Sequence, residues 1–196
     1  VLLHVWERLK GFIIKAGTIL FLACVVMWFL GGFGFTNGGF GLVDDSADSL
    51  LAAIGGFIAP IFAPLGWGNW KMAVAAITGL IAKENVVATF GILFGFAEVA
   101  EDGAEIWGQL GASIVPIAAY GFLVFNLLCA PCFAAMGAIK REMNNTKWFF
   151  TAIGYQTILG YLVALCIYQI GILVTAGTFG IGTVVAFAIV LVFIYL

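Results

Sequence analysis

The chain has 196 residues, 64% of them hydrophobic and 9% charged, with a formal net charge of −2, and its mean hydropathy is +1.17. A water-facing domain of this size has too little interior to hide so much apolar surface, so the composition excludes a soluble globule. It implies an integral membrane protein with helical spans, because a helix satisfies its own backbone polar groups in lipid. No basic patch suggests nucleic acid, and no Gly-x-x-x-x-Gly-Lys-Ser/Thr loop offers a cradle for nucleotide phosphates.

Residues 1–11 read as an amphipathic lead-in carrying Arg8 and Lys10. Their charges follow the apolar residues and no small-residue cleavage site appears, so this is no signal peptide. Opening on Val1 in mid-pattern, the chain reads as a piece of a longer protein. The first span is expected over Phe12–Leu30, followed by a Gly- and Phe-rich turn over Gly31–Gly41. An acidic loop (Asp44, Asp45, Asp48) comes next, with Ser46 or Ser49 capping the following helix. Leu50–Trp67 is apolar but interrupted by Gly55, Gly56, Pro60, Pro64 and Gly66, and reads either as a kinked span or as a re-entrant pair of half-helices.

Met72–Gly95 is long enough to span, with Trp67, Trp70 and Lys71 as an interfacial anchor. Near its middle stand Lys83, Glu84 and Asn85. Each charge there costs about 2.5–3.5 kcal/mol on insertion scales. On a helix, Lys83 and Glu84 point about 100° apart, and their i±4 neighbours are Gly79, Val87, Leu80 and Ala88, so neither finds a counter-charge on its own helix. Partners must come from other helices, freed carbonyls, water or an ion. The alternatives are a structural ion pair between helices and a polar station on a permeation path. A further acidic loop (Glu98, Glu101, Asp102, Glu105), a span over Ser113–Ala138, a basic loop over Lys140–Lys147, a span over Trp148–Gly171 with Tyr155, Gln156 and Gln169, and a last span over Thr175–Leu196 complete the chain.

The expected fold class is an all-α polytopic bundle of about six spans with a broken or re-entrant helix, both ends on the cytoplasmic side, since that topology gathers the cations on one face. Its divisions are the lead-in 1–11, a transmembrane domain 12–171 and a C-terminal transmembrane helix 172–196.

Four cysteines and one histidine are present. Cys24 and Cys166 read as small packing residues. If Ser113–Ala138 is one helix, Asn126, Cys129, Cys132 and Met136 recur along one face. Pro131, lacking an N–H, then frees the Leu127 carbonyl. Oxygen and sulfur donors in that arrangement suit a borderline divalent transition-metal ion better than Mg²⁺ or Ca²⁺. With His4 the sole histidine, a structural zinc site is not expected. The other readings of Cys129 and Cys132 are core packing and a Cys-x-x-Cys redox pair.

Trp6–Gly17, Pro60–Gly66, Gly79-Leu-Ile-Ala-Lys-Glu84, and Pro131-Cys132 followed by Ile139-Lys-Arg-Glu142 resemble, in order, the C-terminal membrane half of the FeoB ferrous iron transporter family. The resemblance implies that 12–171 is the second of two gate repeats. It also implies that a GTPase domain using GTP and Mg²⁺ and a first gate repeat belong elsewhere in the same protein. Homo-oligomers are possible on this reading, and no cofactor is expected in this chain. The implied substrate is Fe²⁺, taken up across the bacterial cytoplasmic membrane. Cys132 would match the family's gate cysteine and Glu84 its charged membrane motif; Cys129, Asn126 and Met136 are further metal contacts on the reading of the residue pattern alone. Lys83, Asn85, Pro60, Pro64, Pro131, Gln156 and Glu142 would be gating or structural polar positions. The expected path runs between Met72–Gly95 and Ser113–Ala138, and the loop 140–147 would meet the GTPase domain. Two other readings stay open: a carrier for an organic solute such as a nucleoside, held by Gln156, Asn85 and Asn126, and a membrane thiol-redox module.

Overall fold

A computed structural model describes residues 2–36, 39–43, 46–81, 83, 86–94 and 106–195. They form an all-helical membrane bundle in which several helices are broken. Helix α1 (Leu2–Gly32) is continuous across the expected lead-in and first span. It leads into a short antiparallel hairpin, β1 (Phe33–Thr36) and β2 (Gly39–Leu42), where a turn region was expected. The phenylalanines explain it: Phe33 stacks on Phe29 at 4.7 Å and on Phe40 at 5.7 Å, so rings on both strands and the helix end close over one another.

Helix α2 (Leu50–Phe62) starts where the cap residue says it should. Ser49 Oγ accepts the Ala52 N–H at 3.1 Å. Pro60 lies inside this helix, which then tightens into a 3₁₀ turn over Ala63–Leu65 and stops at Gly66. Asn69 Oδ1 accepts the Met72 N–H at 2.8 Å, and α3 (Trp70–Ile81) departs at 94°. Leu50–Trp67 is thus the first arm of a bent pair, packed back on α3: a Cβ at Gly55 would lie 2.8 Å from the Trp70 carbonyl.

Met72–Gly95, expected as one helix, is two: α3 and α4 (Val86–Leu93), with Lys83 in the break. Beyond it come α5 (Trp107–Ser113) and, bent at 104°, α6 (Pro116–Leu128). Ser113–Ala138 is also divided: α6 ends at Leu128 and α7 (Phe133–Met143) begins after Cys132. Helix α8 (Thr146–Ala176) runs five residues past the expected end at Gly171, and Gly177, at φ +65°, caps it before α9 (Ile181–Tyr195). The divisions at residues 11 and 171 therefore fall inside helices.

The expectation was about six crossings with a broken or re-entrant helix. Among the described residues, α8 is long and apolar enough to cross alone, with mean hydropathy 2.1, and the two bent pairs raise the number to three by length and composition. The core joins both bent pairs to α8. Phe62 stacks on Trp67 at 4.4 Å, and Trp67 meets Phe122 edge-on at 5.2 Å. Trp67, expected as an interfacial anchor, is 1% exposed and belongs to this core. Lys71 does stay near the aromatic rim, its Nζ 4.5 Å from the centre of the Phe94 ring.

Candidate functional site

Two helix breaks meet in the bundle. One separates α3 from α4 and holds Lys83. The other, Cys129–Cys132, separates α6 from α7. The second break is an extended strand: Cys129 has φ −62°, ψ 172° and Cys132 has φ −58°, ψ 157°. This corrects the expectation of one helical face carrying Asn126, Cys129, Cys132 and Met136. The residue before a proline is pushed out of the α region, so Ala130-Pro131 ends the helix instead of kinking it. The break fits because α8 presents Gly160 to it. A Cβ there would lie 3.0 Å from the Cys129 nitrogen.

A helix end leaves carbonyls without intrahelical partners, and at α6 most of them can be traced. The Phe125 carbonyl accepts the Cys129 N–H at 2.8 Å. The Asn126 carbonyl accepts the Cys129 S–H at 3.4 Å. The Leu127 carbonyl accepts from Lys83 Nζ at 3.3 Å. It is free because the helix has ended, not because Pro131 has withdrawn an N–H from a continuing one. This is the freed-carbonyl partner that Lys83 required. The negative end of the α6 dipole faces the ammonium as well. A hydrogen bond to a charged group contributes about 1.5–3 kcal/mol, against an insertion cost of about 2.5–3.5 kcal/mol. The pairing offsets most of the penalty.

Asn126 is 8% exposed. Its amide Nδ2 donates to the Phe122 carbonyl at 2.9 Å, but Oδ1 is buried with no hydrogen-bond partner among the described residues. That oxygen faces Gly79, one helical turn before Lys83, closely enough that a Cβ at Gly79 would collide with it. Cys129 is buried beside it, and Cys132, at the N-cap of α7, is partly exposed. The two thiols are free, so no disulfide joins them. Met136 lies in the first turn of α7, its N–H bonded to the Cys132 carbonyl at 2.9 Å. The structure thus brings Asn126, Cys129 and Lys83 together and puts Cys132 at the far end of the same short strand.

Other expected positions are distributed elsewhere. Glu84 and Asn85 lie outside the described residues. Gln156 is exposed on α8 and does not join the buried Asn126 cluster. Glu142 is exposed near the end of α7, its Oε1 3.9 Å from Arg141 Nε. Pro60 and Pro64 mark the broken end of α2, where α8 supplies the missing donors. Tyr161 Oη donates to the Ile61 carbonyl at 2.7 Å and Gln169 Nε2 to the Pro64 carbonyl at 2.7 Å. Tyr161 was not among the expected positions. The signal for it was present: a proline-broken helix needs donors from a neighbour. Among the described residues no group of three or more His, Cys, Asp and Glu side chains gathers to hold a metal. Among the described residues, an ion here could draw on carbonyl and amide oxygens with one or two sulfurs.

Apolar helices interrupted at polar breaks, with the breaks in contact with one another, define a polytopic membrane module whose irregular backbone is partly buried in protein. A profile of the family described as "Gate: Nucleoside recognition" matches residues 13–146. The chain is 36% identical over 176 residues to a protein named "Fe(2+) transporter FeoB" of Methanocaldococcus jannaschii, covering 87% of this chain and 25% of the relative. Proteins of the same name match from Staphylococcus aureus, at 32% identity with 85% and 24% covered, and from Escherichia coli, at 26% identity with 87% and 28% covered. No solved structure matches. The chain spans about a quarter of the length of the curated relatives it matches. It belongs to the Gate family, among the FeoB proteins, and is integral to the membrane. The resemblance carried by the ordered motifs is borne out.

Proposed function

We propose that this chain is the C-terminal part of the permease of a larger, GTPase-coupled transporter that takes up Fe²⁺ across the cytoplasmic membrane. The observation that carries the proposal is the meeting of the two breaks, α3/α4 and α6/α7, around Asn126, Cys129 and Cys132. The names of the relatives supply the substrate. Fe²⁺ passes between the bent pair α2–α3 with α4 on one side and α6 with α7 on the other. Cys132, partly exposed at the α7 N-cap, is the first sulfur the ion meets. Asn126 Oδ1, which has no partner among the described residues, replaces a water of its shell, and Cys129, still a thiol, leaves the Asn126 carbonyl and offers a sulfur lone pair. Met136 offers a weak thioether contact one turn further. Glu84 supplies compensating negative charge. A site of so few protein ligands holds an ion weakly enough to release it, as conduction requires. The GTPase domain and the first gate repeat are its partners in the same protein, and the exposed end of α7 with Lys140, Arg141 and Glu142 is where the GTPase domain docks.

The test is anaerobic Fe²⁺ uptake by cells carrying the full-length protein, wild type against Cys132→Ser at matched membrane levels. Uptake should fall roughly tenfold or more, the size of effect expected when a metal contact is weakened. Unchanged uptake would make Cys132 a packing residue and remove the sulfur strand from the path.

A further inference from the structure

The α6 end has the features of a cation site whose occupant is part of the protein. The last carbonyls of α6 stand there at the negative pole of a helix. Two of them are held by donors that can leave: the Leu127 carbonyl by the Lys83 ammonium at 3.3 Å and the Asn126 carbonyl by the Cys129 S–H at 3.4 Å. Beside them Asn126 Oδ1 is buried and unpartnered among the described residues, facing the α3 turn that precedes Lys83. An unmade hydrogen bond at a buried oxygen is costly, so an oxygen without a partner among the described residues is a candidate ligand for an ion that arrives from outside. The ammonium sits in the break between α3 and α4, on a long side chain, and among the described residues the hydrogen bond to the Leu127 carbonyl holds it there.

We propose that Lys83 is a tethered occupant of this cation site. The incoming ion, a divalent transition metal, competes with the ammonium for the Leu127 carbonyl and takes Asn126 Oδ1 as it displaces it. The inference rests on the ion-path reading above and adds its regulation: the empty state is plugged by a charge of the same sign as the cargo, which withdraws when the cargo binds. Electrostatics favours the exchange. A dication gains more than a monocation from the same carbonyl dipoles, and the two cannot share the site without strong like-charge repulsion. Without an ion, the ammonium keeps the low-dielectric break from opening to small monovalent cations.

Anaerobic Fe²⁺ is titrated into the purified full-length protein as wild type, Lys83→Met and Lys83→Gln. Loss of the competitor should tighten Fe²⁺ binding roughly tenfold or more in both variants, the worth of one charged hydrogen bond. Adding Asn126→Leu should erase that gain. Equal affinity in the three proteins, or weaker binding in both folded Lys83 variants, would overturn the competition and leave the ion path standing. No Fe²⁺ binding in wild type or in either variant would overturn the ion path and the competition together.

Discussion

At Gly66 two separate demands fall on one residue. The backbone has φ +85°, in the left-handed region, and the space where a side chain would begin is filled by the Tyr168 ring. An L-residue in that conformation loses about 1–2 kcal/mol, and the ring adds a steric term. Gly66→Ala should therefore lower the thermal stability of the purified protein, and adding Tyr168→Ala should recover only the steric part. Full recovery would mean that the backbone conformation is not strained. Single residues are also where the sequence was most informative. Ser49 caps α2, and Lys83, which needed a partner from another helix, a freed carbonyl, water or an ion, has a freed carbonyl. Trp67 was legible only as an amphipathic aromatic, which suits an interface as well as a core; beside the neighbouring Phe62, its partner Phe122 comes from α6, far away in the chain, and decides for the core. Glu84 and Asn85 lie outside the described residues, so their part in the site rests on the motif.

Among the elements, the breaks were harder to read than the helices. Apolar periodicity is the same for one helix with a proline kink as for two helices joined by a short strand, and Asn126, Cys129, Cys132 and Met136 satisfy it either way. What decides between them is the neighbour. Gly160 of α8 leaves room for the Cys129–Cys132 strand to lie directly on the helix, and nothing near Pro131 in the chain records that. The contrast with Gly154, which has open space at its Cβ position, gives a paired prediction. Gly154→Ala should stabilise α8 by up to about 1 kcal/mol through helix propensity. Gly160→Ala has the same propensity gain, but it must push the Cys129 backbone away. It should destabilise the protein and impair Fe²⁺ uptake of the full-length transporter at matched membrane levels. Equal behaviour of the two variants would show that the strand does not rest on α8.

For the molecule as a whole, composition settled the membrane class and ordered motifs settled the family, while the count of crossings depended on which apolar segments are straight. That could not be read from segments taken one at a time, because the broken end of α2 and the break after α6 are held by contacts with α8. Tyr161 and Gln169 hold the broken end of α2, and Gly160 carries the strand between α6 and α7. With 31 residues, α8 is about 46 Å long, roughly 15 Å more than the hydrocarbon core it crosses. The surplus has to be absorbed by tilt or by projection among the headgroups. The broken end of α2 and the α6/α7 break both rest on this one rod, so a change in its inclination swings the two of them together, as a mast carries its rigging. Bilayer thickness thereby becomes a mechanical input to the pathway. The full-length protein reconstituted in short-chain and in long-chain phosphatidylcholine should differ in Fe²⁺ flux at equal protein content, and identical flux would show that the rod is decoupled from what it bears.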